Sequence, residues 1–298
     1  MRLSIITINY NNAEGLRKTL ASVASQTFRE FEHIIVDGGS TDGSVEIIKE
    51  YEETKHRTPY TRHLLWISEK DNGIYDAMNK GVEIASGIRV VNALNRSELV
   101  EDKNKGVQKA SGEYVYFLNS GDVLASNEVL EDVVHDLNGS DFVIGRVYFS
   151  FNGERVSISP LLTEKDMSLY HMYLHGINHQ SAFIKRELLI QTPYDTSVKM
   201  GADWKFFVQS IVLDNASVQF IDKTIADFDL SGVSSDSQAI KQERAKILSI
   251  FIPERVARDY LAIAPHYYEV IRIGWLLEHP LWYRIYRGIT TLARKISK

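Results

Sequence analysis

The chain has 298 residues, of which 44% are apolar and 24% charged, and its formal net charge at pH 7 is −5. These values are typical of a globular protein and exclude a disordered or collagen-like chain. The absence of cysteine excludes disulfides, thiolate catalysis and cysteine-ligated zinc, and the negative net charge argues against nucleic acid as a partner. No apolar stretch has the length of a secretory signal core or of a membrane span, so we expect a cytoplasmic protein.

Short β-branched segments alternate with helical patterns through the first half of the chain, which predicts βαβ units and a mostly parallel sheet. The predicted strands are residues 3–8, 33–36, 64–67, 114–118 and 142–149. Apolar residues at helical spacing predict helices within residues 16–24, 45–51 and 129–137. The second half has a helical pattern over residues 204–211, a strand near 218–221 and mostly helix after Gln238.

A segment of nine residues occurs twice. Residues 79–87 recur 25 residues later as residues 104–112, with seven of the nine positions identical. Solenoids need at least three repeats, so a local tandem duplication is the simpler interpretation. We predict that the added residues around 82–106 form a surface insert, that residues 87–103 lie outside the core, and that the strand from Tyr114 is undisturbed, because longer loops cost little additional closure entropy.

Polar clusters follow four of the predicted strands, at the edge where doubly wound sheets bind their ligands. The clusters are residues 7–10, 37–40, 69–73 and 119–122. An isolated Asp-Gly-Gly is also typical of a simple turn. Carboxylates at strand ends can accept hydrogen bonds from a base or ribose, or hold a divalent cation against phosphate oxygens. No Gly-x-Gly-x-x-Gly follows the first strand and there is no P-loop, which argues against a dehydrogenase or NTPase and favours a nucleotide site with a metal ion.

Taken in chain order, these motifs resemble those of the family-2 inverting glycosyltransferases with the GT-A fold. The matching segments are Thr7-Ile8-Asn9-Tyr10-Asn11, Val36-Asp37-Gly38-Gly39-Ser40-Thr41-Asp42-Gly43, residues 71–81, residues 110–122, His179-Gln180 and Gly201-Ala202-Asp203-Trp204. The resemblance covers residues 1–235 and is strongest to bacterial enzymes that build capsules, lipopolysaccharide and other exopolysaccharides. It implies an α/β fold, with a GT-A (Rossmann-like), mostly parallel sheet flanked by helices over residues 1–235 and a helical C-terminal extension over residues 236–298.

The resemblance also implies a role for each matching position. The nucleotide-sugar site would contain Thr7, Asn9 and Tyr10 in the pocket wall, Asp37 at the uracil or ribose, Asp71 at the base, and Asp76 and Asn79 near the sugar diphosphate. A divalent metal, Mn²⁺ or Mg²⁺, would be held by Asp122 and Asn119, although Asn119 and Gly121 stand where many relatives have aspartates. Asp203 matches the catalytic base, and His179 and Gln180 would lie on the acceptor or diphosphate side.

The chemistry of an inverting transfer agrees with these roles. The reaction is a single displacement at the anomeric carbon, so a carboxylate must take the acceptor proton and the departing diphosphate must be stabilised. Asp203 precedes a helical pattern, where an aspartate is also typical of a helix N-cap, and the two roles are compatible. A histidine beside a strand, such as His179, is equally typical of a structural residue.

The sequence therefore predicts a metal-dependent glycosyltransferase that moves a sugar from a nucleotide sugar, with UDP as the expected nucleotide, to a glycan or lipid-linked acceptor in cell-surface polysaccharide biosynthesis. One alternative is a sugar-phosphate nucleotidyltransferase, which needs a basic glycine-rich loop that residues 9–15 lack. The other is a non-catalytic nucleotide-sugar-binding protein, which Gly121, Ala202 and the duplication keep open.

The end of the chain has a composition of its own. Residues 279–298 contain five basic and no acidic residues, and apolar residues from Trp282 to Ile296 recur at helical spacing. This pattern predicts a basic amphipathic helix. Such a helix either lies on the anionic surface of the inner membrane as a peripheral contact, or packs on the catalytic domain or across a homodimer.

Overall fold

The computed structural model describes residues 3–56, 64–91, 97–99, 112–151, 153–230 and 237–296. The chain divides into two compact units, Met1–Arg244 and Ala245–Lys298. The predicted domain boundary between residues 235 and 236 falls in a segment outside the described residues and stays a prediction.

Nine strands of the first unit form one sheet, and two more form a separate hairpin. The strands are β1 (Leu3–Asn9), β2 (Phe31–Asp37), β3 (Leu64–Ser68), β4 (Arg89–Val91), β5 (Ser97–Leu99), β6 (Tyr114–Phe117), β7 (Val123–Leu124), β8 (Phe142–Phe151), β9 (Glu154–Ile158), β10 (Ala182–Lys185) and β11 (Val218–Asp229). The order in the sheet is β3-β2-β1-β6-β10-β8-β11-β7, with β9 paired to β8. The hairpin consists of β4 and β5.

The first half of the sheet is parallel, as the βαβ pattern predicts. Strand β1 pairs in parallel with both β2 and β6, and β2 pairs in parallel with β3. All seven residues of β1 and of β2 are buried, because helices cover both faces of this part of the sheet. The second half is mixed: β10 is antiparallel to its neighbours and β11 is parallel to β8.

Helices of the first unit connect and flank these strands. They are α1 (Ala13–Ala24), α2 (Ser44–His56), α3 (Ile74–Ala85), α4 (Val129–Val134), α5 (Leu169–Leu174), α6 (Arg186–Gln191), α7 (Ala202–Phe207) and α8 (Ser237–Phe251). A π-helical segment, Val208–Leu213, continues α7. The apolar positions at helical spacing in α1, Leu16, Leu20 and Val23, are all buried.

Strand register brings the polar loops together. In the sheet Asn9 is opposite Asp37, and Asp37 is opposite Ser68, so β1, β2 and β3 end at the same level. Strand β6 lies beside β1 and continues into the Asn119–Asp122 loop. The four predicted polar clusters therefore share one edge of the sheet.

The duplicated region begins on α3. The first copy lies on this helix and the turn after it, and β6 is part of the main sheet as predicted. The second copy lies outside the described residues except for Gly112, and so do residues 92–96 and 100–103 of the expected surface insert. That expectation stays a prediction.

The second unit is helical, as predicted for the C-terminal extension. After the end of α8 it contains α9 (Glu254–Ile263), α10 (Tyr267–Glu278) and α11 (Pro280–Ile296). Among the described residues, no helix has both the length and the apolar character that crossing a membrane requires.

Candidate functional site

The larger of two adjoining cavities opens at the ends of β1 and β2 and has a volume of about 770 Å³. Its walls include Asn9, Tyr10, Gly38, Asp71 and Ile74. Tyr10 is 66% exposed, whereas Asn9 is buried and donates hydrogen bonds to Asp37 and Ser40. The structure thus brings three of the predicted nucleotide-site residues, Asn9, Tyr10 and Asp71, to this cavity.

Gly38 allows the walls of this cavity to come close together. A Cβ at this position would lie 2.6 Å from Asp71 Oδ2 and 3.1 Å from Tyr10 Cδ2. Burial raises the pKa of Asp71, although the backbone N–H of Gly73 bonds its carboxylate and opposes the shift. A carboxylate of this kind, at the wall of a cavity, can accept hydrogen bonds from a bound base or ribose.

Two predicted nucleotide contacts do not reach the cavity. The Thr7 side chain is fully buried in the sheet, and its hydroxyl is 3.0 Å from His33 Nε2. Asp37 is also fully buried, and its carboxylate accepts hydrogen bonds from Asn9, Ser40 and Ser68 as well as from backbone N–H groups of its own loop. Asp37 therefore holds the loop whose Gly38 and Gly39 form part of the cavity wall.

The residues predicted near the sugar diphosphate have partners elsewhere. Asp76 accepts a hydrogen bond from the backbone N–H of Asn72 and lies 3.6 Å from Lys80. The Asn79 side chain donates to the carbonyl of Tyr194 and accepts from its N–H, so it ties α3 to the loop before α7. Neither residue lines either cavity, and their contact with the diphosphate stays a prediction.

The smaller cavity has a volume of about 330 Å³ and contains most of the titratable groups. It is lined by Asn119, Asp122, His179, Asp203 and Arg244, among others. The two cavities adjoin because both are lined by Asn12, Ile74, Asn119 and Ser120.

Asp203 lies in the first turn of α7, and the N-cap position belongs to Gly201, so the N-cap interpretation of Asp203 is wrong. One carboxylate oxygen accepts from Tyr75 Oη at 3.0 Å, and the other lies 3.2 Å from His179 Nδ1. Burial alone would raise the pKa of Asp203, but the hydrogen bonds that its carboxylate receives from His179, Trp204 N–H and Tyr75 lower it below its usual value. Asp203 is therefore an ionised carboxylate held ready to accept a proton.

His179 connects Asp203 to the loop that separates the cavities. Its Nε2 lies 3.0 Å from the Asn119 amide nitrogen, which can only donate, so Nε2 accepts and Nδ1 carries the proton that faces Asp203. The histidine positions both the Asp203 carboxylate and the Asn119 amide.

Asp122 belongs to the same loop as Asn119 and is almost fully buried. Its carboxylate accepts from Gln180 Nε2 at 2.9 Å and from the backbone N–H of Asp229 at 3.3 Å. Burial raises the pKa of Asp122 to about 6 because these hydrogen bonds only partly replace the lost hydration. Gln180 therefore contacts Asp122 directly, whereas a direct contact between Gln180 and an acceptor stays a prediction.

Asn119 and Asp122 each carry a side-chain oxygen of the kind that would hold a divalent cation here. Asn119 Oδ1 is buried and has no hydrogen-bond partner, which fits a position that a cation occupies. Asp122 supplies the carboxylate, and a nearby cation would offset the cost of its burial. No group of three or more His, Cys, Asp or Glu side chains suited to a metal occurs in the described part of the chain, so most ligands would come from bound phosphate and water.

Sequence reasoning missed two residues of the smaller cavity. Tyr75 donates to Asp203 and accepts from the N–H of Gly201, a role that no spacing in the sequence reveals. Arg244 donates to the carbonyls of Tyr173 and His175, and its guanidinium lies 5.5 Å from the Trp204 ring. A buried arginine at the wall of a cavity is a ready partner for an anionic ligand. It lies on α8, beyond the matching motifs.

Comparison with known proteins identifies relatives of this chain. Residues 4–93 match the family described as Glycosyl transferase family 2. The chain is 28% identical over 240 residues to an uncharacterized glycosyltransferase of Mycobacterium tuberculosis, an alignment that covers 78% of this chain and 77% of the relative.

Two solved structures share the fold. S. aureus TarS in complex with UDP-GlcNAc aligns with a TM-score of 0.56 and 20% identity, over 94% of this chain and 76% of that one. The alignment with a longer TarS chain covers 85% of this chain and 43% of the TarS chain. Mannosyltransferase PcManGT from Pyrobaculum calidifontis, in complex with GDP-Man and Mn²⁺, aligns with a TM-score of 0.54 and 18% identity, over 98% of this chain and 80% of that one.

Proposed function

We propose that this chain, a family-2 glycosyltransferase with the GT-A fold, transfers a sugar with inversion from a UDP-sugar to a hydroxyl of a glycan or lipid-linked acceptor. The observation that carries this proposal is the junction of the two cavities. The larger one is bounded by Gly38 and Asp71 at the strand ends, and the smaller one contains the buried carboxylate of Asp203. Cell-surface polysaccharide biosynthesis is the process we propose for it, and a cytoplasmic location stays a prediction.

The larger cavity is the proposed nucleotide site. Asp71, Asn9 and the Gly38 backbone line it, and its position at the ends of parallel strands is the usual place for a nucleotide in an α/β sheet. TarS binds UDP-GlcNAc and PcManGT binds GDP-Man on the same fold, which supports a nucleotide-sugar donor. The donor would extend past Asn119 and Ser120 so that its anomeric carbon lies in the smaller cavity.

Asp203 is the proposed general base. Its lowered pKa keeps it ionised, and it faces the cavity where an acceptor hydroxyl would bind. The hydroxyl oxygen forms the new bond to the anomeric carbon while its proton passes to Asp203, and the bond from that carbon to the diphosphate breaks with both electrons leaving on oxygen. Tyr75 and His179 position the carboxylate throughout this step.

A divalent metal, Mn²⁺ or Mg²⁺, is the proposed cofactor, to be held by Asn119 and Asp122 against the diphosphate. A bound cation would supply charge neutralisation for the departing nucleoside diphosphate. The Mn²⁺ in the PcManGT complex and the unpartnered Oδ1 of Asn119 support this assignment. Arg244 adds a fixed positive charge to the same cavity, which favours an acceptor with an anionic group.

Product analysis tests the proposal. The protein is incubated with UDP-sugars and Mn²⁺ in the presence and absence of glycan acceptors, and the released nucleotide is identified. We expect UDP without pyrophosphate and a product of inverted anomeric configuration. Release of pyrophosphate in a parallel incubation with UTP and sugar 1-phosphates would indicate a nucleotidyltransferase, and donor binding without turnover would indicate a non-catalytic binding protein; either result would overturn the proposal.

A further inference from the structure

The last helix of the chain has an apolar face that is open to solvent. The apolar residues of this face follow one another every three or four positions along α11, as one side of a helix requires. They are Leu281 (69% exposed), Trp282 (53%), Ile285 (46%), Tyr286 (42%) and Ile289 (63%). We call this set the α11 stripe. Contiguous exposed apolar surface of this kind is rare in proteins that have no partner there.

The charged residues of α11 itself are all positive. Arg284 and Arg287 are exposed on the other side of the helix, and the sequence adds Arg294, Lys295 and Lys298. The helix contains no acidic residue. A surface with charge of one sign only is complementary to an anionic partner and repels a second copy of itself.

Helix α10 adds further exposed apolar side chains to the same unit. Ile271, Ile273, Trp275 and Leu277 are each about half exposed. Tryptophan and tyrosine side chains, as at Trp275, Trp282 and Tyr286, favour the boundary between headgroups and acyl chains because they have an apolar body and a polar end.

We infer that α11 docks the enzyme on the surface of an anionic phospholipid bilayer, with the α11 stripe inserted at the headgroup boundary and the basic residues facing the headgroups. The helix has 17 residues, an apolar half and a strongly basic half, which is the composition of a helix that lies in the membrane plane. This inference goes beyond the transfer reaction, since it assigns a partner to a surface that the reaction does not use.

Vesicle sedimentation of the full chain, without donor or acceptor, tests the inference. The vesicles contain phosphatidylcholine and phosphatidylglycerol at about 3:1, or phosphatidylcholine alone. We expect binding to the anionic vesicles that weakens as NaCl rises from about 0.1 M to about 1 M, because the Debye length shortens from about 10 Å to about 3 Å. Because no substrate is present, the result does not depend on the proposed reaction.

Two matched variants separate the apolar face from the charge. Ile289→Asp and Thr291→Asp each add one negative charge at an exposed position of α11, but only Ile289 belongs to the α11 stripe. We expect Thr291→Asp to weaken binding by about fivefold, the effect of one charge near the surface, and Ile289→Asp to weaken it by at least a further tenfold. Circular dichroism and thermal unfolding check that both variants stay folded.

Three outcomes would overturn the inference. The first is equal vesicle binding by the two variants, and the second is no binding of the unaltered chain to anionic vesicles at low salt. The third is a dimer of the unaltered chain, seen by analytical ultracentrifugation, that Ile289→Asp dissociates and anionic vesicles do not. In that case the α11 stripe would be an interface between two copies.

Discussion

Asp203 is buried and yet held in its ionised form, a combination that depends on its two side-chain partners. Tyr75 Oη and His179 Nδ1 lie on different oxygens of the carboxylate, so the group is oriented as well as stabilised. A base whose pKa is lowered is weaker in the ground state, but it is available at every physiological pH. Positioning, more than basicity, is therefore what this residue offers to catalysis.

Replacing Asp203 by asparagine should abolish transfer and preserve donor binding. The amide cannot accept the acceptor proton, and general-base contributions are about 10²–10⁴-fold, so kcat should fall at least about a hundredfold. The dissociation constant for UDP should change by less than about threefold, because Asp203 does not line the larger cavity. Asp222→Asn, at a surface carboxylate, is the matched control. If Asp203→Asn kept more than about a tenth of the turnover, the base would be another residue.

Asp122 predicts a pH dependence of stability. Its pKa is about 6 in the folded chain, against an ordinary value of 3.8 in the unfolded chain, so between these values the folded chain holds one proton more than the unfolded chain. The contribution of Asp122 to the free energy of unfolding is therefore lost as the pH rises from 4 to 6, and this loss should amount to about 3 kcal/mol.

Urea unfolding of the unaltered chain and of Asp122→Asn at several pH values measures this effect. The difference in unfolding free energy between the two proteins cancels the other titrating groups. We expect this difference in unfolding free energy to fall between pH 4 and pH 6 and to level off above pH 6. A difference that is constant from pH 4 to pH 7 would mean that Asp122 has an ordinary pKa.

The sequence does not define which way the side chains of the predicted site face, for a reason that lies at the residue scale. The motifs identify the correct loops, but they do not show which side of a loop each carboxylate faces. Asp37 turns inward to bond Ser40 and Ser68, and Asn79 turns toward the backbone of Tyr194, so glycine backbone forms the cavity wall where a side chain was expected. Ser68 and Tyr194 are 31 and 115 residues away from their partners in sequence, beyond the reach of any local pattern.

At the scale of elements, the strands with the clearest signal in the sequence are those that are buried on both faces. Strands β1 and β2 are continuous apolar or β-branched segments with every residue buried, which gives a strong signal. Strand β9, Glu154–Ile158, is exposed throughout, and β10 has only four residues, so neither has a pattern that exceeds the background. In the mixed half of the sheet, the sequence therefore predicted β8 and the start of β11 but neither β9 nor β10.

The duplicated segment gives a test of α3 with two deletions of equal length. Removing residues 88–112 keeps the first copy, and removing residues 82–106 keeps the second. The products differ only where Glu83 and Ile84 are replaced by Gln108 and Lys109. Ile84 is buried, so a lysine in its place should lower the unfolding free energy by about 2 kcal/mol or more.

We expect both shortened chains to fold, with the one that retains Ile84 clearly the more stable in urea unfolding. Adding Lys109→Ile to the chain that lacks residues 82–106 should recover most of the lost unfolding free energy. The two shortened chains then differ only where one has Glu83 and the other Gln108. Loss of cooperative unfolding in both would show that the insert belongs to the core, contrary to the prediction of a surface insert.

On the scale of the whole molecule, the candidate site unites parts of the first unit that are distant in sequence. The larger cavity is formed by the ends of the parallel strands and the start of α3, whereas the smaller one is formed by α7, the His179 turn and α8. A donor that occupies both would bind only the assembled fold. Binding would therefore stabilise the folded chain by RT ln(1 + L/Kd), where L is the free donor concentration.

Thermal unfolding with UDP, UDP-sugars and Mn²⁺ should reveal this coupling. At a ligand concentration about 100 times the dissociation constant, binding adds about 2.7 kcal/mol, which should raise Tm by about 5 °C or more. We expect a larger Tm shift with Mn²⁺ and the nucleotide together than with either alone, because Asn119 would help to hold a cation that would neutralise the diphosphate. Asn119→Ala should remove the part of the shift that depends on Mn²⁺, whereas Asp203→Asn should keep all of it. If the Tm shift with UDP is the same with and without Mn²⁺, the proposed metal site is contradicted. Positive side chains of the protein would then have to neutralise the diphosphate, and Lys70 lies at the wall of the larger cavity.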